Sequence, residues 1–348
     1  MPSINQQQLA TLLNLSRATV SRSLSNHPMI HADTRAKVIA LAEKLGYRKT
    51  PTRVIRKKRQ SKPITIGVLV GMPLVNLGMA TFPYVLSGIR QQGIRDHVAI
   101  DVVTQDPAEL SPQNLRQPVF SHIRAGNWRG IILIYPFAQE VVRAIERKIS
   151  VVSVLTEYEH LAIDTIDTDH SNIVDLIGRL SELGHERIGF VTWHYAVGGQ
   201  WASRRFAAYA EGVFHHGLEF RREWTVNIHP KEKVCNEHSE IAEYVAGKIR
   251  NDGVNAWVCA ADHQAYQLIA DLKHLGINVP ADCSVTGFDG IEPPIGMQRL
   301  TTLAVSHAEI GASALSRLLS RIVNPNSSGR KILVATELVE GGTVASPR

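Results

Sequence analysis

Cysteine and long apolar runs are both scarce in this chain of 348 residues. The three cysteines, Cys235, Cys259 and Cys283, are odd in number and widely spaced, which predicts free thiols in a reducing compartment rather than a disulfide framework. No stretch approaches the ~18 consecutive apolar residues that a membrane-spanning helix needs. The N-terminus shows no charged segment followed by an apolar core, as a secretion signal would. We therefore expect a cytoplasmic protein with no membrane partner.

The motifs of the common enzyme classes are absent as well. The sequence has no glycine-rich phosphate loop, no nucleophile elbow, no zinc-protease motif and no paired-cysteine site. Its 15 histidines are scattered, and the His215-His216 pair is expected at an exposed helix end rather than in a metal cluster. We therefore predict that the chain is not an enzyme and that it needs no metal and no cofactor.

Positive charge is concentrated at the N-terminus. Residues 1–62 contain 13 lysines and arginines against 2 acidic residues, a net charge of +11, whereas the whole chain carries +6, so the remaining 286 residues carry −5. This asymmetry predicts that only the N-terminal segment binds a polyanion. A membrane-surface or localisation element is the alternative, but neither of these needs the motif that lies beside the charge.

A helix-turn-helix pattern lies in this basic segment. Leu9 and Leu13 stand one helical turn apart, and Val20 and Leu24 repeat the spacing, so two short helices can share a small core. Ser16 is a good N-cap for the second helix, whose exposed end then carries short hydroxyls and two guanidinium groups. An ordinary helical pair with a solvated basic face is the alternative. A third amphipathic helix follows, with an apolar stripe of Val38, Leu41, Ala42 and Leu45.

From residue 64 onward, short apolar runs alternate with helical segments. The runs are almost continuously hydrophobic, as expected of parallel strands that are covered on both faces. They are Ile64–Val70, Val98–Val103, Gly130–Ile134, Val151–Leu155, Arg187–Val191, Ala256–Cys259 and Ser284–Phe288. The alternation predicts a doubly wound α/β body in two lobes, with ligand binding beyond the carboxyl ends of the strands.

Motifs along the whole chain, in order, resemble those of the lactose/galactose repressor family of bacterial transcription regulators. Residues 9–22, 34–38 and 45–47 resemble the family's DNA-binding headpiece, while Leu183–Ile188 and Val279–Asp289 resemble motifs of its body. The resemblance implies an α-helical headpiece followed by an α/β body like that of periplasmic binding proteins. It also implies three crossovers between the lobes, which we place near residues 168–172, 297–302 and 324–329.

The resulting domain prediction has four parts. They are a helix-turn-helix headpiece at 1–48, a basic hinge at 49–62, an N-lobe at 63–168 and 302–324, and a C-lobe at 169–301 and 325–345. Since the chain would cross three times, neither lobe would be contiguous in sequence.

The resemblance assigns DNA-binding roles to residues of the second helix. The base-reading positions are Arg17, Ala18 and Arg22, and the phosphate-facing positions are Ser16, Thr19, Ser21 and Asn26. An arginine can pair with the O6 and N7 atoms of guanine, and an alanine can meet a thymine methyl group. For Arg17, contact with phosphate alone stays open as the alternative. Asn14 replaces the more common turn glycine, which is tolerable because asparagine accepts the left-handed conformation.

The hinge departs from the family pattern. Pro51 comes two residues later than is usual, and Arg56 falls near the leucine that the family inserts into the minor groove. Val54 or Ile55 is then the candidate apolar wedge, provided that a helix starts at Pro51. A disordered arm that holds phosphates through the run Arg53–Arg59 is equally open.

For an effector site between the lobes, the resemblance offers Phe82, Arg205 and Asp289, with Trp201 next. A guanidinium and a carboxylate that face each other across a cleft can hydrogen-bond vicinal hydroxyls or an anionic group. Phe82 can stack on a sugar or purine face. The alternatives are core packing for the two aromatic side chains and a structural ion pair for Arg205.

The dipeptide Ala261-Asp262 stands where the family has Asn-Asp. Ala261 therefore lacks a polar group that often contacts ligand in the family. Asp262 is expected to cap the following helix rather than to contact ligand.

Together these features predict a sequence-specific transcription regulator, and they favour a repressor. The expected partners are a near-palindromic double-stranded operator, a small effector bound between the lobes, and a second copy of the chain. A sugar or related polyol is favoured over a purine as effector, and the absence of a heptad tail favours a homodimer over a tetramer. A nucleoid-type architectural protein is the alternative, and a low ratio of specific to non-specific DNA affinity would indicate it.

Overall fold

The computed structural model describes residues 5–25, 27, 30–45, 47, 64–71, 81–194, 200–228 and 235–347. The chain divides into two compact units, 1–62 and 63–348. The predicted DNA contacts Asn26, Val54, Ile55 and Arg56 lie outside the described residues.

In its described part, the first unit is a helical headpiece with helices α1 (Gln6–Leu12), α2 (Arg17–Leu24) and α3 (Ala32–Lys44). The turn before α2 passes through Asn14, which has the positive φ of 50° that asparagine tolerates. Its small core consists of Leu9, Ala10, Val20, Val38 and Ala42. The predicted helix-turn-helix is confirmed.

All strands among the described residues belong to the second unit, where most of them are joined by helices. Its strands are β1 (Thr65–Gly71), β2 (Ala99–Gln105), β3 (Gly130–Ile134), β4 (Ser150–Val154), β5 (Asp164–Thr168), β6 (Ile188–Val191), β7 (Thr225–Val226), β8 (Ala256–Cys259), β9 (Ser284–Asp289), β10 (Thr301–Val305), β11 (Lys331–Val334) and β12 (Thr336–Val339). Its helices are α4 (Phe82–Asp96), α5 (Pro118–Arg124), α6 (Gln139–Glu146), α7 (Asn172–Glu182), α8 (Gln200–His215), α9 (His238–Asp252), α10 (Asp262–His274) and α11 (His307–Val323). The alternation predicted from the sequence is confirmed.

The strands form two six-stranded sheets within the described residues. The first has the order β11-β5-β4-β3-β1-β2 and is parallel throughout; with α4, α5, α6 and α11 it forms what we term the N-lobe. The second has the order β12-β10-β9-β8-β6-β7, and only β12 runs antiparallel to its neighbour; with α7 to α10 it forms the C-lobe. Each sheet has a buried apolar cluster on either face, which is why its central strands are almost entirely hydrophobic.

The chain passes between the lobes at three places. The first passage lies between β5 and α7, within the expected 168–172. The second follows β10, which pairs with β9 and β12 and therefore stays in the C-lobe, so it lies beyond Val305 rather than at 297–302. The third is Ala335, between β11 and β12, rather than 324–329. Each of these two passages follows a strand, β10 or β11, that the sequence pattern did not predict. Both strands pair with parts of the chain that are distant in sequence, so their lobes could not be assigned from local pattern.

Helices α4 and α11 of the N-lobe cross at very short range because two glycines meet there. A Cβ atom on Gly88 would lie 1.8 Å from the carbonyl oxygen of Ala308, and one on Gly311 would lie 2.0 Å from that of Val85. No side chain larger than hydrogen fits at either position without moving a backbone.

Among the described residues, no helix is both long and apolar enough to cross a membrane.

Candidate functional site

Helix α2 of the headpiece is capped as the sequence predicts. The Ser16 hydroxyl accepts a hydrogen bond from the Thr19 amide at 3.0 Å and lies 2.8 Å from the Thr19 hydroxyl. Val20 is buried against the other two helices. Because the buried face is fixed in this way, the side chains of Arg17, Ala18 and Arg22 are exposed. The exposed surface of α2 thus offers two guanidinium groups and a methyl group, which are the groups that read base edges in a major groove.

In the body, the candidate effector residue Asp289 and two other positions lie at or just after the carboxyl ends of strands. Asp289 ends β9, and Ala261 closely follows β8. Tyr135 follows β3 of the N-lobe, with a positive φ of 69°. Because a doubly wound sheet binds ligand at this edge, these positions mark the face that each lobe offers to a ligand.

Arg205 and Asp289 belong to the same lobe, so the expectation that they face each other across a cleft is wrong. Arg205 lies on α8 and Asp289 ends β9, both of the C-lobe, and Arg205 Nη2 donates to Asp289 Oδ1 at 3.1 Å. Arg205 Nη1 also donates to the carbonyl of Ala260. The reason is topological, because α8 packs on the same sheet that ends in Asp289. The two side chains therefore form one preassembled polar group on one wall.

Aromatic rings enclose this pair. The Arg205 guanidinium carbon lies 3.7 Å from the centroid of the Phe288 ring and 4.7 Å from that of Trp201. The ring of His170, at the first passage between the lobes, lies 5.4 Å from the ring of Phe288. Stacking of this kind fixes the plane of a guanidinium and therefore the direction of its remaining donors.

Two nitrogen atoms in this cluster have no hydrogen-bond partner among the described residues. They are Arg205 Nε and His170 Nε2, and both are buried. Arg205 itself is only 6% exposed. A buried polar atom without a partner is costly, and one explanation is a binding group that the protein itself does not supply.

Three histidines feel the charge of Arg205, and all are held neutral. Burial, followed by the charge of Arg205, lowers the pKa of His170 to about 3. The same two causes lower the pKa of His263 to about 4 and that of His307 to about 4. At neutral pH these imidazoles therefore act as uncharged hydrogen-bonding rings.

Asp262 does not cap α10, contrary to expectation. The N-cap of α10 is Ala261, and no side chain caps this helix. Asp262 instead accepts a hydrogen bond from the Thr302 hydroxyl at 2.6 Å and from the Ile291 amide at 2.8 Å, which holds the loop after Asp289 against β10. Burial, with the nearby charge of Asp289, raises the pKa of Asp262 to about 6.

Phe82 and Trp201 are both half-buried. Phe82 starts α4 of the N-lobe, and its ring packs edge-on against Tyr135, with centroids 6.4 Å apart. The Tyr135 hydroxyl accepts hydrogen bonds from the amides of Thr81 and Phe82, each at 3.1 Å. Burial raises the pKa of Tyr135, and the charge of Asp289 adds to the effect, which indicates that Tyr135 lies within electrostatic range of the C-lobe pair. Phe82 is thus placed beside Tyr135 in the N-lobe, while Trp201, Arg205 and Asp289 lie together in the C-lobe.

Sequence reasoning missed several residues that the fold adds to the cluster. They are Tyr135, His170, Arg204 and Phe288. Tyr135 and Phe288 could have been predicted as site residues, since both lie at the end of a predicted strand. His170 and Arg204 had none beyond their neighbours in sequence.

Comparisons with known proteins agree with this architecture. The model of bacterial regulatory proteins of the lacI family matches residues 7–50, and that of the periplasmic binding protein-like domain matches residues 177–344. An HTH-type transcriptional regulator of Mycobacterium tuberculosis is 28% identical, over 97% of this chain and 96% of its own length.

Two solved structures illustrate the shared fold. The lac repressor dimer bound to operator and the anti-inducer ONPF has a TM-score of 0.64 at 20% identity, and covers 99% of this chain and 100% of its own. A complex of the transcriptional regulator CelR with cellobiose has a TM-score of 0.62 at 16% identity, and covers 98% of this chain and 99% of its own.

A helix-turn-helix headpiece joined to a two-lobed body of the periplasmic-binding type defines a class of DNA-binding transcription regulators. The headpiece of this chain is thus a DNA-binding domain of the lacI type, and its body is a periplasmic binding protein-like domain. The relatives that the chain matches are transcription regulators rather than enzymes. Among the described residues, no group of three or more possible metal ligands occurs.

Proposed function

We propose that this regulator is a homodimeric repressor controlled by an uncharged sugar or related polyol that binds between the lobes. The observation that carries the proposal is the Arg205 cluster. It presents a buried guanidinium whose Nε lacks a partner, near an imidazole whose Nε2 also lacks one. Adjacent hydroxyl groups of a polyol could both accept from Arg205 and pair with His170.

The charges around the cluster favour a neutral ligand over an anionic one. Arg205 is paired with Asp289, while Arg204 is paired with Asp167 and Glu157. Lys331 is paired with Glu157 at 3.0 Å. A phosphate or carboxylate would have to compete with these carboxylates for its counter-charge, and the cost of burying an unpaired charge is high. Hydroxyl groups need no such charge.

Aromatic rings near the cluster suit a sugar ring. Trp201 and Phe82 are half-buried, one from each lobe, so each keeps part of its ring surface available. The apolar faces of sugar rings pack on such surfaces. The CelR structure described with cellobiose lends support by analogy of fold.

The headpiece supports operator binding by two copies. Its exposed α2 carries Arg17, Ala18 and Arg22, and a dimer would place two such helices in successive major grooves of a near-palindrome. The lac repressor structure, described as a dimer on its operator, supports the same arrangement. A regulator of chromosomal genes would act in the cytoplasm.

A thermal-shift experiment tests the effector proposal. Purified full-length protein is heated with glucose, ribose, cellobiose, glucose 6-phosphate, gluconate and guanine in turn. We expect one of the neutral sugars to raise Tm, because ligand at about 100 times its Kd stabilises the native state by about 2.7 kcal/mol. Arg205→Lys should abolish the shift, whereas Arg221→Lys, at an exposed ion pair of the same lobe, should keep it. A larger shift with gluconate, glucose 6-phosphate or guanine would overturn the neutral-polyol proposal.

A DNA selection tests the repressor proposal. Full-length protein is used to select bound duplexes from a random pool, and we expect an inverted repeat to emerge. The sugar found above should then change affinity for that repeat. Selection of sequences without symmetry would contradict binding as a dimer to a near-palindrome.

A further inference from the structure

Arg204 joins the two lobes directly. It lies on α8 of the C-lobe, and its two terminal nitrogens reach two carboxylates of the N-lobe. Nη1 donates to Asp167 Oδ2 and Nη2 donates to Glu157 Oε2. A single side chain of one lobe is thus held by two acidic groups of the other.

The two N-lobe carboxylates are held in place and ionised, as a guanidinium partner requires. Asp167 lies within β5, and its side chain is only 2% exposed. Its other oxygen accepts the Thr168 amide at 2.8 Å, so the carboxylate is fixed in place. Glu157 is shared with Lys331 of the same lobe. The hydrogen bond from Lys331, followed by the charge of Arg204, lowers the pKa of Glu157, so it stays ionised.

Separating the lobes at this point would leave Asp167 without its cation. A charge-assisted contact that is shielded from water is stronger than an exposed one. Its loss therefore costs more at Asp167, whose one ion pair among the described residues is with Arg204, than at Glu157, which keeps Lys331. Asp167 is the buried member, so it supplies most of the resistance, and Glu157, being 41% exposed, supplies less. The contact therefore opposes opening even when no ligand links the lobes.

We propose that Arg204 is a positioning residue that holds the lobes closed in the ligand-free protein. It precedes Arg205 directly, so one turn of α8 carries both the candidate ligand group and the contact that sets the lobe angle. The effector then binds a site whose two walls are already near each other, which lowers the cost of closure. The proposal concerns the lobe angle, and it does not depend on which ligand binds.

Distance measurements between spin labels test this inference without an effector. Cysteines are placed at the exposed Glu140 of α6 and Glu243 of α9, one on each lobe, in full-length protein carrying Cys235→Ser, since Cys235 is the half-exposed native thiol. Labelled chains are diluted into unlabelled protein, so that distances within one subunit dominate. Arg204→Ala should raise the population of long distances at least about fivefold, the low end of typical coupling between sites.

Control variants separate lobe closure from general stability. Arg221→Ala removes an arginine of the C-lobe that pairs only within its lobe, with Glu219, and should leave the distances unchanged. Glu157→Gln should give a smaller shift in the same direction and keeps the test available if Arg204→Ala does not fold. Adding Glu157→Gln to Arg204→Ala should add little, because the two share one contact. Unchanged distances in both Arg204→Ala and Glu157→Gln, or equal shifts in Arg221→Ala, would overturn the proposal.

Discussion

The guanidinium of Arg205 lies over the ring of Phe288, 3.7 Å from its centroid, while Asp289, the next residue, holds the same guanidinium at 3.1 Å. Two consecutive residues of β9 thus fix both the plane and the charge of one arginine. The orientation of Arg205 Nε is therefore set before any ligand arrives. Preorganised donors of this kind bind without paying to order a flexible side chain.

Substitution of Asp289 should separate its structural role from its proposed ligand role. Asp289→Ala leaves a guanidinium that is 7% exposed without its counter-charge, and we expect a loss of roughly 3–5 kcal/mol in the free energy of unfolding. Asp289→Asn keeps an oxygen acceptor and should lose less, yet it should remove the effect of the sugar on DNA affinity. Urea unfolding measures the loss of stability, and operator titration with and without sugar measures the effect on DNA affinity. If Asp289→Asn responds to sugar like the parent, Asp289 is structural only.

Arg22 should distinguish operator from random DNA. Because its side chain is exposed and we propose that it reads a base, Arg22→Ala is expected to cost about 1–3 kcal/mol on the selected operator and much less on random duplex. Lys37→Ala, an exposed cation of α3, provides the comparison. Both are measured by titration at one fixed salt concentration. Equal losses on both DNAs would mean that Arg22 contacts only phosphate.

Acidification should destabilise the body through its buried histidines. The pKa of His170 lies near 3 and those of His263 and His307 near 4, all below the ordinary value of 6.5. Between these values the unfolded chain binds more protons, so stability falls as pH drops from about 6.5 towards 4. Asp262 acts in the opposite sense, because its pKa is raised to about 6 and the folded chain therefore binds more protons at this carboxyl. Its contribution to the pH dependence of stability offsets that of one of the three histidines.

Three histidines less Asp262 leave the unfolded chain with an excess of about two protons near pH 5. Since each proton corresponds to about 1.4 kcal/mol per pH unit, the net slope should be on the order of 2–3 kcal/mol per unit. Urea unfolding at pH 7, 6 and 5 measures it. His307→Gln should flatten the slope, whereas His274→Gln, at the exposed end of α10, should not. A slope that is equal in His307→Gln and the parent would argue against a buried neutral imidazole at this position.

The crossing of α4 and α11 should tolerate no added carbon. A Cβ on Gly311 would lie 2.0 Å from a backbone oxygen, so Gly311→Ala should lower the free energy of unfolding by about 1–3 kcal/mol or more. Gly247 of α9 is the matched control, because nothing lies within 4 Å of its would-be Cβ. There the same change should stabilise by about 0.5–1 kcal/mol. Urea denaturation measures the free energy of unfolding of both variants. Equal changes in the two would mean that α4 and α11 move apart enough to accept the added carbon.

The sequence predicts the parts of the fold that depend on local pattern. Strands such as β1 and β3 are continuous apolar runs, and Ser16 caps α2 as its position suggests. By contrast, β5 reads Asp-Thr-Ile-Asp-Thr and yet is buried throughout. Its Asp164 accepts from Arg317 at 2.9 Å and Arg321 at 3.0 Å, both from α11. Those partners lie more than 150 residues away in the chain, so no local pattern could show that this polar strand is internal.

The candidate site shows the same division. The family resemblance offered Arg205 and Asp289, and the position of Asp289 after an apolar run agreed with a ligand residue at the end of a strand. Their direct pairing on one lobe could not be predicted, because it depends on how α8 packs over β9, 84 residues along the chain. Arg204 escaped notice for the same reason, since its carboxylate partners belong to the other lobe.

Strand β11 pairs with β5 so that Ile332 lies beside Ile166. During synthesis, β5 therefore remains an unpaired edge strand of the N-lobe sheet until β11, near the end of the chain, has left the ribosome. Helix α11, which covers the same sheet, emerges equally late. The C-lobe strands β6 to β9 are by then complete, so the lobe that begins second in sequence is free to consolidate first. A nascent chain halted before residue 307 would expose the apolar face of its N-lobe, and we expect it to need a chaperone or to be degraded.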